Sequence, residues 1–301
     1  MKQFKVVGLG EVLWDIFSGQ KQAGGAPANF AYISCVLGDV GLIASRVGAD
    51  DLGAEMQSQL RSRGLNTDYI QQDSERPTGT VQVHLRSDGQ PLFEITEPSA
   101  WDFLEWTAEW DTLARGADAV CFGSLAQRNP RSRATIRRFL AATTKDAIRV
   151  FDMNLRQHYY SQEILAESIA SAQIVKLNDE EVLIASRLLQ APSDDCLQFA
   201  QWLQRRFQLR LVCVTFGAKG SLLVSESSHH RHPGYRVKVA DTVGAGDAFT
   251  AAMLHHFLRG STISAISAAA NRMGSLVASE AGAMPALSSE GIKEVRASLL
   301  C

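Results

Sequence analysis

The chain has 301 residues, of which 46% are hydrophobic and 21% are charged. This balance is typical of a soluble globular protein that buries a large core, and it excludes a disordered chain. The formal net charge of −2 provides no basic field for a polyanion, so nucleic acid is not an expected partner.

No linker rich in Pro, Gly or Ser divides the chain, so we expect one principal domain spanning residues 1–301. The cysteines are odd in number, widely scattered and without a C-x-x-C spacing, which predicts reduced and mostly buried thiols: Cys35, Cys121, Cys196, Cys213 and Cys301. The N-terminus lacks the apolar run of a secretory signal, and no later stretch is long enough for a membrane span. We therefore expect a cytoplasmic protein with no membrane partner.

Short apolar runs recur along the chain and predict strands that are buried on both faces. In chain order they are Lys5–Leu9, Leu42–Val47, Ala119–Phe122, Ile148–Phe151, Ile174–Leu177 and Leu211–Thr215. Helical patterns alternate with them: one begins at Pro27, one follows Asp51 and ends near Gly64, and one spans Glu180–Leu189 behind the capping residue Asn178. This alternation predicts an α/β fold of three layers, α/β/α, with a mostly parallel sheet.

The region between residues 67 and 97 breaks this rhythm. Its pattern has period two over Thr80–Leu85 and again over Leu92–Ile95, with the turn Ser87–Gln90 between them, which is typical of a β-hairpin. Together with residues 12–24 it predicts a small antiparallel sheet that forms a lid over the open end of the main sheet. The alternative is a surface hairpin with no role at the site. An exposed hairpin edge favours pairing with a second copy, so a homodimer through the lid is also predicted.

A histidine-rich stretch, residues 225–233, follows the last core strand. It is polar and predicts an irregular loop. His229, His230 and His232 have side chains that bind metals, but adjacent rings in a loop are more often solvated.

The most informative local pattern is Asp241-Thr242-Val243-Gly244-Ala245-Gly246-Asp247, which a helical pattern follows. Small residues at the start of a helix let a phosphate approach free backbone N–H groups, where the helix dipole also favours negative charge. A carboxylate beside a statically bound phosphate would be repelled, so Asp247 is better explained as a general base for an attacking hydroxyl. We predict Gly244, Ala245 and Gly246 as an anion hole and Asp247 as the catalytic base. The alternative is that Asp247 is only an acid favoured by the helix dipole.

A second glycine motif, Gly24-Gly25, opens the helical pattern that contains Asn29. Asp15 lies just beyond the first core strand, and ligands of open α/β sheets bind beyond the carboxyl ends of the strands. The carboxylate of Asp15 and the amide of Asn29 suit sugar hydroxyls. Taken alone, the two glycines would more simply indicate a turn.

The two motifs together resemble the two signatures of the ribokinase-like (PfkB) family of carbohydrate kinases. Gly24-Gly25-x-x-x-Asn29 and Asp241-Thr242-x-Gly244-Ala245-Gly246-Asp247 have the family's order and about its separation, and the resemblance extends from Lys5 to about Leu299. It implies the ribokinase-like fold and an ATP-dependent kinase whose partners are ATP and a small sugar, with Mg²⁺ as cofactor.

Further motifs carry the implied metal sites. Asn178-Asp179-Glu180-Glu181 is similar to the family's N-x-x-E element, which implies that Asn178 and Glu181 organise Mg²⁺ and phosphate through water. Asp241 and residues 278–285 fall where many members bind a monovalent cation such as K⁺.

Two other positions are implied at the nucleotide. Thr215-x-Gly217-x-x-Gly220 is similar to the family's T-x-G-x-x-G, which implies a turn that lies along the nucleotide. Asn271 falls where the family often lines the adenine pocket.

The remaining motifs concern the sugar. Asp152-Met153-Asn154-Leu155-Arg156 resembles the D-x-N-x-R of the fructokinase and ketodeoxygluconate kinase branches, which implies that Arg156 faces anionic oxygens. Together with Arg156, the implied substrate site comprises Asp15, Gly24, Gly25 and Asn29. Ala26-Pro27 replaces the Lys-Gly pair of many ribokinases, which moves the resemblance toward fructokinases, as do Gly10–Phe17 and Ala100–Asp102.

The resulting hypothesis is transfer of the γ-phosphate of ATP to a sugar hydroxyl, with fructose as the favoured sugar. Within the family the alternatives are 2-keto-3-deoxygluconate, another ketose or a nucleoside. Outside this activity, a NAD-binding Rossmann oxidoreductase is suggested only by Gly8-Leu9-Gly10, which lacks the third glycine. An inactive sugar-binding protein on the same fold is the other alternative.

Overall fold

The computed structural model describes residues 2–17, 20–85 and 91–297. The predicted turn Ser87–Gln90 and the end of the chain, with Leu299 and Cys301, lie outside the described residues. The described cysteines are free thiols, two buried and two partly exposed: Cys35, Cys121, Cys196 and Cys213. No helix in the described ranges is long and apolar enough to cross a membrane.

The described strands form two sheets. In chain order they are β1 (Lys5–Leu9), β2 (Leu13–Phe17), β3 (Gln20–Gly24), β4 (Val40–Gly48), β5 (Ile70–Asp73), β6 (Gly79–Leu85), β7 (Pro91–Ile95), β8 (Ala119–Phe122), β9 (Ile148–Asp152), β10 (Ile174–Asn178), β11 (Leu211–Thr215), β12 (Ser221–Val224) and β13 (His229–His232). The main sheet has the spatial order β13-β12-β11-β10-β9-β8-β1-β4-β5, and every pairing from β11 to β5 is parallel. Because β4 and β8 flank β1, the strand order reverses beside β1, which is where open sheets bind ligands.

Helices cover both faces of this sheet, as the alternation of elements predicts. They are α1 (Ala26–Val36), α2 (Asp51–Ser62), α3 (Ala108–Gly116), α4 (Pro130–Ala142), α5 (Gln162–Ala170), α6 (Asp179–Leu188), α7 (Cys196–Phe207), α8 (Ala245–Phe257), α9 (Ile263–Ala278) and α10 (Ser289–Ala297). Successive strand residues enter opposite cores. Val6 belongs to the cluster that contains residues of α1, α8, α9 and α10, whereas Val7 belongs to the cluster that contains residues of α3 to α7. The predicted three-layer fold is therefore confirmed.

The small sheet has the order β3-β2-β6-β7. Each outer pair is antiparallel, as predicted, but β2 and β6 run parallel where the two hairpins meet. The segment expected to form the lid also contains β5, which instead pairs with β4 at the edge of the main sheet. The histidine-rich stretch differs from the expected irregular loop, because His229–His232 pairs with β12 as an edge strand.

The base of the small sheet is fastened to the main body at both ends. On the β2 side, the buried indole of Trp14 donates to the carbonyl of Leu52 on α2 at 3.0 Å. On the β7 side, the guanidinium of Arg128, just before α4, donates to the carbonyl of Thr96 at 2.6 Å. One hydrogen bond on each side therefore ties the small sheet to the main body.

The Arg128–Asp102 ion pair generates a stability prediction. Two guanidinium nitrogens of Arg128 lie 2.7 and 2.8 Å from the carboxylate of Asp102, and both side chains are at most 2% exposed. Asp102→Asn leaves a buried cation with a weaker partner, so we expect the free energy of unfolding to fall by about 3 kcal/mol in a urea titration. The control is Asp111→Asn, which breaks the exposed pair with Arg115 and should leave the urea midpoint unchanged. Equal effects of the two substitutions would contradict the prediction.

Candidate active site

A cavity of about 860 Å³ opens at the carboxyl ends of the parallel strands, between the main sheet and the small sheet. Its wall combines loops after β1 and β9, the start of α8 and strands of the small sheet. The lining residues are Glu11, Leu13, Asp15, Gln20, Gln22, Gly25, Ala26, Asn29, Val81, Ile95, Leu125, Asn154, Leu155, Arg156, Gln157, Lys176, Asp241, Thr242, Val243, Gly244, Gly246 and Asp247. Both glycine motifs predicted from the sequence therefore reach one cavity.

The first glycine motif places Asp15 against the start of α1. Gly25 precedes the helix with φ 103°, and a Cβ there would lie 2.6 Å from the carbonyl oxygen of Glu11, so only glycine fits. A Cβ on Gly24 would lie 2.5 Å from the Oδ2 atom of Asp15, which shows how closely that carboxylate covers the glycine. Burial raises the pKa of Asp15 to about 6, although Arg156 opposes the shift.

The second glycine motif turns sharply into α8. Gly244 has φ 76°, and a Cβ there would lie 2.7 Å from the Cα atom of Ala283. The amide of Ala245 donates to the carbonyl of Thr242 at 3.2 Å, so in this structure it is not a free donor of the predicted anion hole. Within the described part of the chain the amides of Gly246 and Asp247 have no acceptor, as the first turn of a helix requires. These two amides are the donors that an anion would meet.

A side-chain hydrogen bond joins the two motifs. The amide nitrogen of Asn29 on α1 donates to the Oδ2 atom of Asp247 on α8 at 2.8 Å. The buried Oδ1 atom of Asn29 has no partner within the described residues, and the role of Asn29 at the sugar stays a prediction. Asp247 as a whole is half-buried, but protein atoms surround its carboxyl group. This burial raises the pKa of Asp247 to about 6, and the negative charge of Asp152 is the second cause of the rise.

Two buried charged residues in the cavity were missed from the sequence. Glu11 is 3% exposed, its Oε2 atom has no partner within the described residues, and burial raises its pKa to about 7. Lys176 lies 3.0 Å from a carboxylate oxygen of Asp152; burial opposes its charge, but Asp152 and Glu181 keep its pKa above the ordinary value. A lysine interrupting the apolar run of β10, and an acid directly after β1, were the signals available in the sequence.

Arg156 lies in the cavity as expected. The residues on either side of its short loop, Asn154 and Gln157, adopt left-handed backbone conformations with φ 41° and 49°. The guanidinium forms no ion pair with the described residues, yet its charge lowers the pKa of Asp15, of Glu11 and of Asp247. It is therefore near all three acids. Its Nη1 atom donates to the carbonyl of Leu155 at 3.1 Å, and its other nitrogens form no hydrogen bond to the described residues.

The predicted metal residues occupy two places. Asn178 caps α6 and forms reciprocal bonds with Glu181, whose other oxygen accepts from the amide of Leu155 at 2.7 Å. Each oxygen of Glu181 therefore keeps one lone pair, which fits an indirect contact with Mg²⁺ through water and not a closed protein cage. Asp241 accepts from the amide of Gly282 at 3.1 Å, so the structure does bring it beside residues 278–285. No group of three or more metal-binding side chains occurs within the described residues.

The predicted nucleotide residues lie outside the cavity wall. Thr215 ends β11, and Gly217 and Gly220 form the turn into β12. Asn271 is buried on α9, where its amide nitrogen donates to Ser221 and to the carbonyl of Ser267, each at 2.7 Å. In this structure Asn271 therefore fastens α9 to β12, and its role at the adenine stays a prediction.

A family model described as pfkB family carbohydrate kinase matches residues 4–290. The chain belongs to this family. A fructokinase from Vibrio alginolyticus is 33% identical over 282 residues, which cover 89% of this chain and 89% of that protein. The predicted enzyme class, a carbohydrate kinase, is confirmed, and the NAD-binding oxidoreductase loses its support.

Solved structures agree with this assignment. An uncharacterized sugar kinase from Pyrococcus horikoshii in complex with ATP has a TM-score of 0.82 at 28% identity and covers 96% of this chain and 99% of its own. A fructokinase from Vibrio cholerae with fructose, ADP and a calcium ion has a TM-score of 0.80 at 28% identity, covering 96% and 97%. A double mutant of that fructokinase holds fructose, ADP and a potassium ion, with a TM-score of 0.81 at 28% identity, covering 98% and 99%.

The raised pKa of Asp247 generates a prediction about stability. Its pKa rises from 3.8 to about 6 on folding, so protonation favours the native state and this contribution is lost as the pH rises through 6. We expect Asp247→Asn, which is neutral at every pH, to raise the free energy of unfolding at pH 8 by about 2 kcal/mol. At pH 4.5, where the native carboxyl is mostly protonated, the gain should shrink to about 1 kcal/mol or less. Urea titrations at both pH values measure the difference, and an equal or lower stability of the variant at pH 8 would contradict it.

Proposed function

We propose that this carbohydrate kinase transfers the γ-phosphate of ATP to a hydroxyl group of fructose. The observation that carries the proposal is the carboxylate of Asp247, held by Asn29 beside the free amides of a helix N-terminus in a cavity of about 860 Å³. The names of the relatives support ATP as the donor and fructose as the acceptor. The inactive sugar-binding alternative is disfavoured because the proposed base, Asp247, lies in the cavity beside the free amides of Gly246 and Asp247.

In the proposed reaction Asp247 accepts the proton of the attacking sugar hydroxyl as its oxygen bonds to the γ-phosphorus and the bond to ADP breaks. A carboxyl with a pKa of about 6 is ionised at neutral pH and basic enough to share that proton. The amides of Gly246 and Asp247 stabilise the charge on the transferred group, and the buried cation of Lys176 lies behind them. Mg²⁺, when bound, neutralises phosphate charge; Asn178 and Glu181 would hold it through water.

The charges of the cavity favour a neutral polyol over a sugar acid. Four acids line it, Glu11, Asp15, Asp241 and Asp247, against the two cations Arg156 and Lys176. The unpartnered oxygens of Glu11 and Asn29 suit hydroxyl groups, which donate hydrogen bonds, and repel a carboxylate. One observation favours 2-keto-3-deoxygluconate as a second candidate, since Arg156 has no ion-pair partner among the described residues and is free for a carboxylate.

The proposal has two further parts. A monovalent cation such as K⁺ would bind between Asp241 and residues 278–285, and a solved fructokinase with potassium supports this. A homodimer would pair the edge strands of the small sheet, β3 or β7, with those of a second copy in the cytoplasm.

A coupled assay of ADP release tests the activity and the base together. We expect the highest kcat/KM with fructose when it is compared with ribose, 2-keto-3-deoxygluconate and adenosine. Asp247→Asn should retain ATP binding but lower kcat by roughly 10²- to 10⁴-fold, because the acceptor hydroxyl then loses its base. The matched control is Asp51→Asn, an exposed acid in the first turn of α2, which should leave kcat unchanged. Near-full activity of Asp247→Asn would remove Asp247 from this role.

The pH dependence of turnover provides a separate test. Because the pKa of Asp247 is about 6, we expect kcat to fall about tenfold per pH unit below pH 6 and to level off above it. Asp15 also has a raised pKa of about 6, so Asp15→Asn serves as the control. This variant should raise KM for the sugar and leave the midpoint of kcat near pH 6. A midpoint near pH 4 in the wild-type profile would show that the base is not buried in the working enzyme.

A further inference from the structure

A buried hydroxyl lies directly behind the proposed anion hole. Thr250 is on the first turns of α8, is fully buried, and lies outside the cavity wall. Its hydroxyl is 2.8 Å from the Oδ2 atom of Asp152, at the end of β9, and 3.0 Å from the carbonyl oxygen of Gly246. The single hydroxyl proton is shared between these two acceptors, so one side chain joins α8 to the main sheet.

The carbonyl of Gly246 is directly linked to one of the donors of the proposed anion hole. It belongs to the same planar peptide unit as the amide of Asp247, and that amide is one of the free donors of the anion hole. Fixing the carbonyl on one side of this plane therefore fixes the direction of the N–H bond on the other. The same peptide also precedes the Cα atom that carries the proposed base.

Lys176 pairs with the acceptor of this hydroxyl, the carboxyl group of Asp152. Its ammonium is 3.0 Å from the Oδ1 atom of Asp152, so the two carboxylate oxygens bind Lys176 and Thr250 separately. A Cβ on Gly246 would lie 3.3 Å from the same ammonium, which places the cation against the first turn of α8.

We propose that Thr250 is a positioning residue for phosphoryl transfer, whose hydroxyl, anchored on Asp152, orients the peptide unit between Gly246 and Asp247. The role rests on the proposed function, because this peptide unit matters only if it faces a transferred group. A threonine that bonds back to a carbonyl four residues earlier is common in helices and by itself indicates nothing more. The second acceptor, on another element and itself paired with a buried cation, is what sets Thr250 apart.

Two substitutions separate the hydroxyl from the space it fills. Thr250→Val has nearly the same shape and lacks the hydroxyl, whereas Thr250→Ser keeps the hydroxyl and loses only a methyl group. We expect Thr250→Val to lower kcat roughly tenfold with KM for sugar and ATP within about twofold, since misdirected donors weaken binding of the transition state alone. Thr250→Ser should retain kcat within about twofold to threefold. Turnover is measured at a temperature where thermal melts show both variants fully folded.

Hydrogen exchange provides a readout that does not depend on turnover. The amide of Ala248 donates to the carbonyl of Gly244 at 2.9 Å and reports on the first turn of α8. We expect this amide to exchange roughly tenfold faster in Thr250→Val and at the wild-type rate in Thr250→Ser, as followed by NMR. If the wild-type chain phosphorylated no sugar, the proposed function would fail, while this comparison would still decide whether Thr250 holds the turn.

Two results would overturn the proposal. One is a Thr250→Val variant with kcat and Ala248 exchange both within twofold of wild type, which would make the hydroxyl dispensable. The other is an equal loss of kcat in the valine and serine variants, which would assign the effect to packing of the methyl group.

Discussion

The site depends on the contact between the N-terminus of α1 and the N-terminus of α8. The hydrogen bond from Asn29 to Asp247 joins them. The two residues are 218 positions apart, and only the parallel arrangement of the main sheet brings their helices to the same edge. Each helix begins at a glycine with positive φ, so neither glycine can be replaced without moving a helix start. The proposed sugar side and the proposed phosphate side of the cavity are thereby joined by a direct hydrogen bond.

Burial of charge is the second constraint. Glu11, Asp15 and Asp247 all have raised pKa values because the cavity removes them from water, so they weaken the fold when ionised. The same burial makes Asp247 a stronger base. The pair of Lys176 with Asp152 lies beneath the start of α8, where a buried cation offsets part of this accumulated negative charge. Ionisation of Asp247 therefore lowers the stability of the fold and at the same time produces the proposed base.

The sequence predicted the core strands almost to the residue because their apolar runs are buried on both faces, as at Ala119–Phe122 and Leu211–Thr215. It failed at the edges of the main sheet. Residues 70–73 and His229–His232 are polar and pair on one side only, so their pattern resembles a loop or a hairpin. The glycine motifs were recognisable locally, whereas the bonds of Asn29 and Thr250 depend on tertiary contacts that no local pattern records.

A kinase must also prevent water from replacing the sugar hydroxyl as the acceptor of the phosphoryl group. The small sheet affects how much water can enter the cavity. It contributes Asp15, Gln20, Gln22, Val81 and Ile95 to the cavity wall, so water has access to the base wherever these strands stand away from α8. Trp14 on β2 and Arg128 beside β7 fasten its base to the main body, whereas β3, which carries Gln20 and Gln22, is an edge strand. Asp15 follows Trp14 on the inner strand β2, so the proposed sugar contact lies on a fastened part of the sheet. Under the proposed function, a sugar bound at Asp15 would itself fill the cavity that Asp247 lines and displace water from it, which would restrict phosphoryl transfer to an occupied site.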